Sequence, residues 1–110
     1  MFSTHLLDAA ARRRAERMEA RRRVVLERVV ATLESEGPRL GVSEAYLVGS
    51  VISEGEWAED SDVDVAISGG DPIRVMRIVE EAAGSAVDVI DLERHPTPEM
   101  FRRRGRKVVG

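Results

Sequence analysis

The chain has 110 residues and a formal charge of −3, with 17 Lys and Arg against 20 Asp and Glu. It contains no cysteine, which excludes disulfides and thiolate metal sites, and no apolar run near the roughly 18 residues that a membrane span needs. This length allows one domain, and its core must be aliphatic, because Trp57, Tyr46, Phe2 and Phe101 are the only aromatic residues.

The opening MFSTHLLDAAARRR lacks the basic-then-apolar order of a signal peptide, so a cytoplasmic protein is expected. The charge is segregated. Residues 1–35 hold 8 Arg against 5 acids, residues 36–101 hold 4 Arg against 15 acids, and residues 102–110 hold 5 basic residues and no acid. An acidic block of this kind is either a solvated face or a divalent-cation site, since a cation relieves the repulsion among carboxylates.

In chain order, Asp8 to Glu34 reads as one long helix, rich in Ala, Arg, Glu and Leu and free of Gly and Pro. Ser3 or Thr4 is placed to cap it, and Gly37-Pro38 ends it. Met18, Val25, Leu26, Val29, Val30 and Leu33 recur at helical spacing, so the second half is expected to pack on the rest of the chain. Its first half either projects into solvent or docks on a partner. Arg12-Arg13-Arg14 and Arg21-Arg22-Arg23 admit nucleic-acid contact, but the plainer reading is a solvated face paired internally with Glu16, Glu19 and Glu27.

Residues 36–110 then form the domain proper. Ala45 to Val48 is a short buried strand broken by Gly49-Ser50, with a short helix expected from Val51. Gly55 to Ser61 is a polar loop carrying Trp57, which can stack on a base or cover a small core. Asp62 to Ser68 alternates with period 2 and reads as a strand. Asp71-Pro72 opens a helix whose expected apolar face is Ile73, Met76, Val79 and Ala83, and Gly84 ends it. Ala86 to Leu92 is a third strand. A short helix is expected from Thr97 or Pro98 to Arg104, and Lys107 to Val109 offers a last short strand. The three strands predict a small mixed sheet with helices against one face, an α/β or α+β sandwich.

In Asp62-Val63-Asp64-Val65 the two carboxylates share a face, about 7 Å apart along the strand, while the valines face the core. Hard oxygen ligands of this kind suit Mg²⁺ or Mn²⁺, which also take substrate phosphates as ligands. Asp88, between Val87 and Val89, completes a carboxylate cluster if its strand lies beside that of Asp62, and three carboxylates holding two metals can clamp an in-line nucleotidyl transfer. Asp91 falls on the opposite face. Taken alone, this D-x-D also fits the exposed face of an amphipathic sheet. Gly49 allows a sharp turn and close approach of a phosphate, and Ser50 at a helix start offers N–H groups and a hydroxyl to an anion; an ordinary N-cap is the alternative. His5 and His95 are expected to be non-catalytic, and Arg74 and Arg77 to lie on the surface. Arg102, Arg103, Arg104, Arg106 and Lys107 can meet phosphates, RNA or a partner protein, or simply be solvated.

The series Gly49-Ser50, Asp62-Val63-Asp64 and Asp88 resembles the DNA polymerase β-like nucleotidyltransferases, and among them the minimal nucleotidyltransferases. The resemblance covers roughly Ala45 to Val109, including the ending FRRRGRKVV. It implies a nucleotidyltransferase fold over residues 36–110, ATP as substrate and two Mg²⁺ ions. It implies Gly49 and Ser50 on the nucleotide, Asp62 and Asp64 on both metals, and Asp88 on the catalytic metal and as base. It further implies an antitoxin that neutralises a HEPN-type toxin by transferring AMP to a tyrosine hydroxyl, alone or as a homo-oligomer. The chain departs from that pattern in its eleven-residue spacer between Ser50 and Asp62, which carries Glu54, Glu56, Glu59 and Asp60. That departure leaves open an antitoxin that has lost catalysis and acts by binding alone.

Overall fold

The computed structural model describes residues 4–110. Its elements are α1 (Thr4–Glu36), β1 (Glu44–Val48), β2 (Val63–Ser68), α2 (Pro72–Ala83), β3 (Val87–Asp91), α3 (Pro98–Arg104) and β4 (Arg106–Val109). Single 3₁₀ turns lie at Pro38–Leu40 and Gly49–Ile52. Each expected element is present except the short helix from Val51, which is only a 3₁₀ turn at Gly49–Ile52. Of the two caps foreseen for α1, Ser3 lies outside the described residues and Thr4 is already helical.

The four strands form one sheet in the order β3-β2-β1-β4, the last short strand offered at Lys107 to Val109 joining the three of the expected sheet. β1 is antiparallel to β2 and β4, and β2 is parallel to β3. The final strand forms because Arg106–Val109 finds the free edge of β1 and supplies its hydrogen-bonding partners. The sheet is therefore mixed, and the fold is α+β.

Alternation of side chains divides the core in two. Ala45, Leu47, Val63, Val65, Ile67 and Val87 face α1 and α2, where Val25, Val29, Leu33, Val75, Val79 and Ala83 meet them. Tyr46, Ala66, Leu92 and Phe101 form a smaller cluster on the other face, beneath α3. Helices thus cover both faces rather than one. The sequence hid this because α3 has seven residues and buries only Phe101.

Helix α1 has 33 residues, so it runs about 50 Å at 1.5 Å per residue, against a long axis of 60 Å for the molecule. Its buried positions, Arg22, Val25, Val29 and Leu33, all fall in the second half. The turns before Met18 extend beyond the sheet, with Leu6 and Leu7 exposed. No helix among the described residues is long and apolar enough to cross a membrane.

In α2 the inward face is Val75, Val79 and Ala83, and Ile73, expected in the core, is 59% exposed. Ile73 sits in the first helical turn, where the chain has only just left the sheet. The cap is as expected: the Asp71 side chain accepts a hydrogen bond from the Ile73 N–H at 3.0 Å. Asp71→Ala is expected to cost about 1 kcal/mol, the usual worth of such a cap, read as a fall in the urea midpoint with an unchanged slope.

Candidate active site

The site is built at one end of the sheet, on the face opposite α1 and α2. β1 leaves the sheet at Val48, opposite Asp64 on β2. Asp64 in turn lies opposite Asp88 on β3. Residues paired across neighbouring strands about 4.8 Å apart point to the same side, so the two carboxylates share a face beside the end of β1. The flanking Val63, Val65 and Val87 fill the core behind them. Asp62 was expected on the strand but precedes its first residue, Val63, and is exposed. Asp91 pairs with Ile67 and accepts from the Glu93 N–H, in a turn away from Asp64 and Asp88.

Gly49 supplies the turn out of β1. Its φ is +78°, a conformation that side-chain-bearing residues rarely adopt, and a Cβ there would stand 2.8 Å from Oδ2 of Asp64. The glycine thus lets the backbone reverse and lets the Asp64 carboxylate lie against it. Ser50 follows, but the expected helix is only the 3₁₀ turn Gly49–Ile52, which begins before Val51. So short a turn has little dipole, and any anion would be met by local N–H groups and the Ser50 hydroxyl. The turn is closed by the Ser53 N–H on the Ser50 carbonyl and the Ser53 hydroxyl on the Gly49 carbonyl.

Burial pushes the Asp64 carboxyl above the usual range, and the charges of Asp88 and Asp62 push it further. Asp64 therefore feels the charge of both other acids. Their all-oxygen donor set suits a hard divalent cation, which would relieve that repulsion. The side chains are not gathered around a point, however. Among the described residues no group of three or more His, Cys, Asp or Glu is placed to hold a metal ion.

A cleft of about 230 Å³ opens beside Gly49, lined by Val48, Ile52, Ser53, Met100, Phe101 and Arg104. It joins the Gly49 turn to α3, and Arg104 brings the cation nearest to it. Arg102, expected to be free for phosphate or a partner, is engaged instead. It forks onto Glu44 at 3.0 and 3.2 Å and also bonds Glu99, and the Tyr46 hydroxyl donates to Glu44 at 2.9 Å. These bonds pin α3 to β1 and hold the Glu44 carboxyl below its usual range, chiefly through Arg102. Trp57 is buried in the main core, so it is not placed to stack on a base. Glu54, Glu56, Glu59 and Asp60 are exposed. Arg74 and Arg77 are exposed, as expected, and His95 stands edge-on to Phe101 and accepts from the Thr97 N–H.

The internal pairing expected of Glu19 is present, but the sequence reading missed that Arg22 is buried and that both residues reach the loop after Ser50. Arg22 lies in a triple-Arg run but is 8% exposed, forking onto Glu19 at 2.8 and 2.6 Å and donating to the Val51 carbonyl at 3.0 Å. Glu19 also accepts from the Gly55 N–H at 3.1 Å. A signal was present: Arg22 is four residues after Met18 and three before Val25, in phase with the buried stripe. Its neighbours differ, since Arg23 is exposed and Arg21 reaches only the Gly84 carbonyl at 3.4 Å.

The Arg22 and Gly55 bonds bring the Glu19 carboxyl down from 4.5 to about 2. Its stabilisation is complete above the unfolded value and is lost as pH falls through the folded one. The difference in urea stability between wild type and Glu19→Gln is expected to be constant above about pH 5.5 and to shrink steadily below 4.5.

No protein-family model matches this sequence, and no curated protein matches it. Solved structures do. A chain of a crystal structure described as a toxin-antitoxin with AMP-PNP is similar at 24% identity, covering 77% of this chain and 73% of that one, with a TM-score of 0.58. A chain of the toxin-antitoxin MntA-HepT is similar at 20% identity, covering 80% and 72%, with a TM-score of 0.53. A structure from Shewanella oneidensis is similar at 20% identity, covering 74% and 71%, with a TM-score of 0.52. At these identities the likeness establishes the fold alone: a mixed four-stranded α+β sheet preceded by a long helix. The first two of these neighbours are described as toxin-antitoxin structures.

Proposed function

We propose that this chain is a metal-dependent nucleotidyltransferase that moves AMP from ATP to a hydroxyl of a partner protein, as the antitoxin of a HEPN-type toxin pair. The observation that carries this reading is the in-register pair Asp64 and Asp88, with Asp64 lying against the positive-φ Gly49. A phosphate-accepting turn and a carboxylate pair then share one end of one sheet. The neighbours' toxin-antitoxin descriptions, one of them with AMP-PNP, support the partner and the nucleotide.

Asp62, Asp64 and Asp88 would hold Mg²⁺, which when bound neutralises phosphate charge and acidifies the attacking hydroxyl. The Gly49-Ser50 turn receives phosphate oxygens through N–H groups and the Ser50 hydroxyl. The partner's oxygen bonds the α-phosphorus, the bond to pyrophosphate breaks, and Asp88 takes the hydroxyl proton. The partner supplies the acceptor hydroxyl and the surface around it.

The test is transfer of label from ATP labelled at its α-phosphate to a HepT-type toxin, with Mg²⁺ or Mn²⁺. Label on the toxin with wild type and none with Asp62→Ala/Asp64→Ala is expected; no label under any condition sinks the reading. A binding-only antitoxin is favoured by one observation, that the carboxylates are not gathered to hold an ion. In that case the double variant neutralises the toxin as well as wild type does.

A further inference from the structure

We propose that the Glu19–Arg22 pair on α1 is a positioning device that holds the Gly49–Gly55 segment in the shape in which its Gly49-Ser50 turn receives phosphate. This role presupposes the nucleotide site proposed above, although the ordering of the segment does not.

The segment has few means of fixing itself. It contains one 3₁₀ turn, and beyond that turn's own bonds it is closed by Ser53, whose N–H bonds the Ser50 carbonyl and whose hydroxyl bonds the Gly49 carbonyl. Further ties come from α1, about thirty residues earlier in the chain. Arg22 grips the carbonyl of Val51, the residue after Ser50, from a buried position. Glu19 grips the Gly55 N–H at the far end of the segment. The fork between Glu19 and Arg22 makes these two grips one rigid unit. Below it the Val51 side chain is wholly buried, so the segment is held by packing on one side and by the ion pair on the other.

Packing alone does not explain Arg22. The next inward positions of α1 are Val25 and Val29, and an aliphatic residue at 22 would bury apolar surface without desolvating a guanidinium. The charge is used to reach a backbone carbonyl beside the phosphate turn. Neither Glu19 nor Arg22 lines the cleft beside Gly49 or joins the aspartate face, so both act through the loop and not on the substrate.

The test uses the full chain with Arg22→Met, Arg22→Lys, Glu19→Gln and the Glu19→Gln/Arg22→Met double variant. Val29→Ala, in the same helix and away from the loop, is the control for general loss of stability. The first readout is hydrogen exchange at the Ser53 and Gly55 amides. Arg22→Met is expected to speed it at least tenfold beyond Val29→Ala, with Arg22→Lys intermediate. The second is the KM for Mg·ATP, expected to rise about tenfold in Arg22→Met with kcat changed less than threefold, and to stay within twofold of wild type in Val29→Ala. Equal exchange in Arg22→Met and Val29→Ala overturns the proposal, whatever the wild-type activity. If the exchange result holds and wild type binds no nucleotide, the ordering of the segment stands and the nucleotide role falls with the function proposed above.

Discussion

Asp64→Asn is expected to lower AMP transfer by about 10²–10³-fold while leaving the fold intact. Asp64 is the central member of the acidic face, in register with Asp88, next after Asp62 on its own side, and against the Gly49 backbone. The fold also opposes its ionisation, through burial and then through its neighbours' charges. A group with its pKa raised in this way favours the fold most below its unfolded value, and that contribution is lost as pH rises through the folded value. At neutral pH without divalent cations, asparagine is therefore expected to be neutral or stabilising. Thermal melts with and without Mg²⁺ check both halves. Wild type is expected to gain stability with Mg²⁺, as any ligand of the native state stabilises it, and Asp64→Asn is expected to gain none. A variant that transfers AMP at the wild-type rate would exclude Asp64 from the chemistry.

Gly49→Ala is expected to weaken nucleotide binding by at least about tenfold and to lower the melting temperature. Two costs combine. A φ of +78° opposes any residue with a Cβ, at about 1–2 kcal/mol, which for a domain of this size is a fall of roughly 4–8 °C per kcal/mol. The new methyl would also stand 2.8 Å from Oδ2 of Asp64, so the carboxylate or the turn must move. Gly84→Ala separates the two costs. Gly84 has a φ of +65° at the end of α2, and a Cβ there meets nothing within 4 Å. It is expected to lose comparable stability while keeping its nucleotide affinity. Equal affinities in the two alanine variants would show that the contact with Asp64 has no bearing on the site.

Much of this was legible before any coordinates. The Asp71-Pro72 pair marked the start of α2, and alternation along Val63–Ser68 marked β2 and turned Asp64 away from the valines. The same alternation separated Asp88 from Asp91. Elsewhere composition misled. Three arginines in a row look alike, yet Arg22 is buried on a carbonyl while Arg23 is exposed. Arg102 looks like part of a basic tail but forks onto Glu44, 58 residues away. Ile73 fits a helical stripe but lies in the turn before α2 reaches the sheet.

The sequence by itself determined what depends on neighbours a few residues apart: the capped helix, the alternating strands, the glycine turn after β1, and which side of its strand each aspartate takes. Such features follow from backbone sterics and from side-chain contacts within one or two turns. Only the tertiary structure decided which strands lie side by side, that Asp64 meets Asp88 and rests against Gly49, and that α1 reaches back to hold the loop after Ser50. Those contacts join residues 15 to 36 positions apart. They are set by how the whole apolar surface is buried, a condition that no local pattern contains.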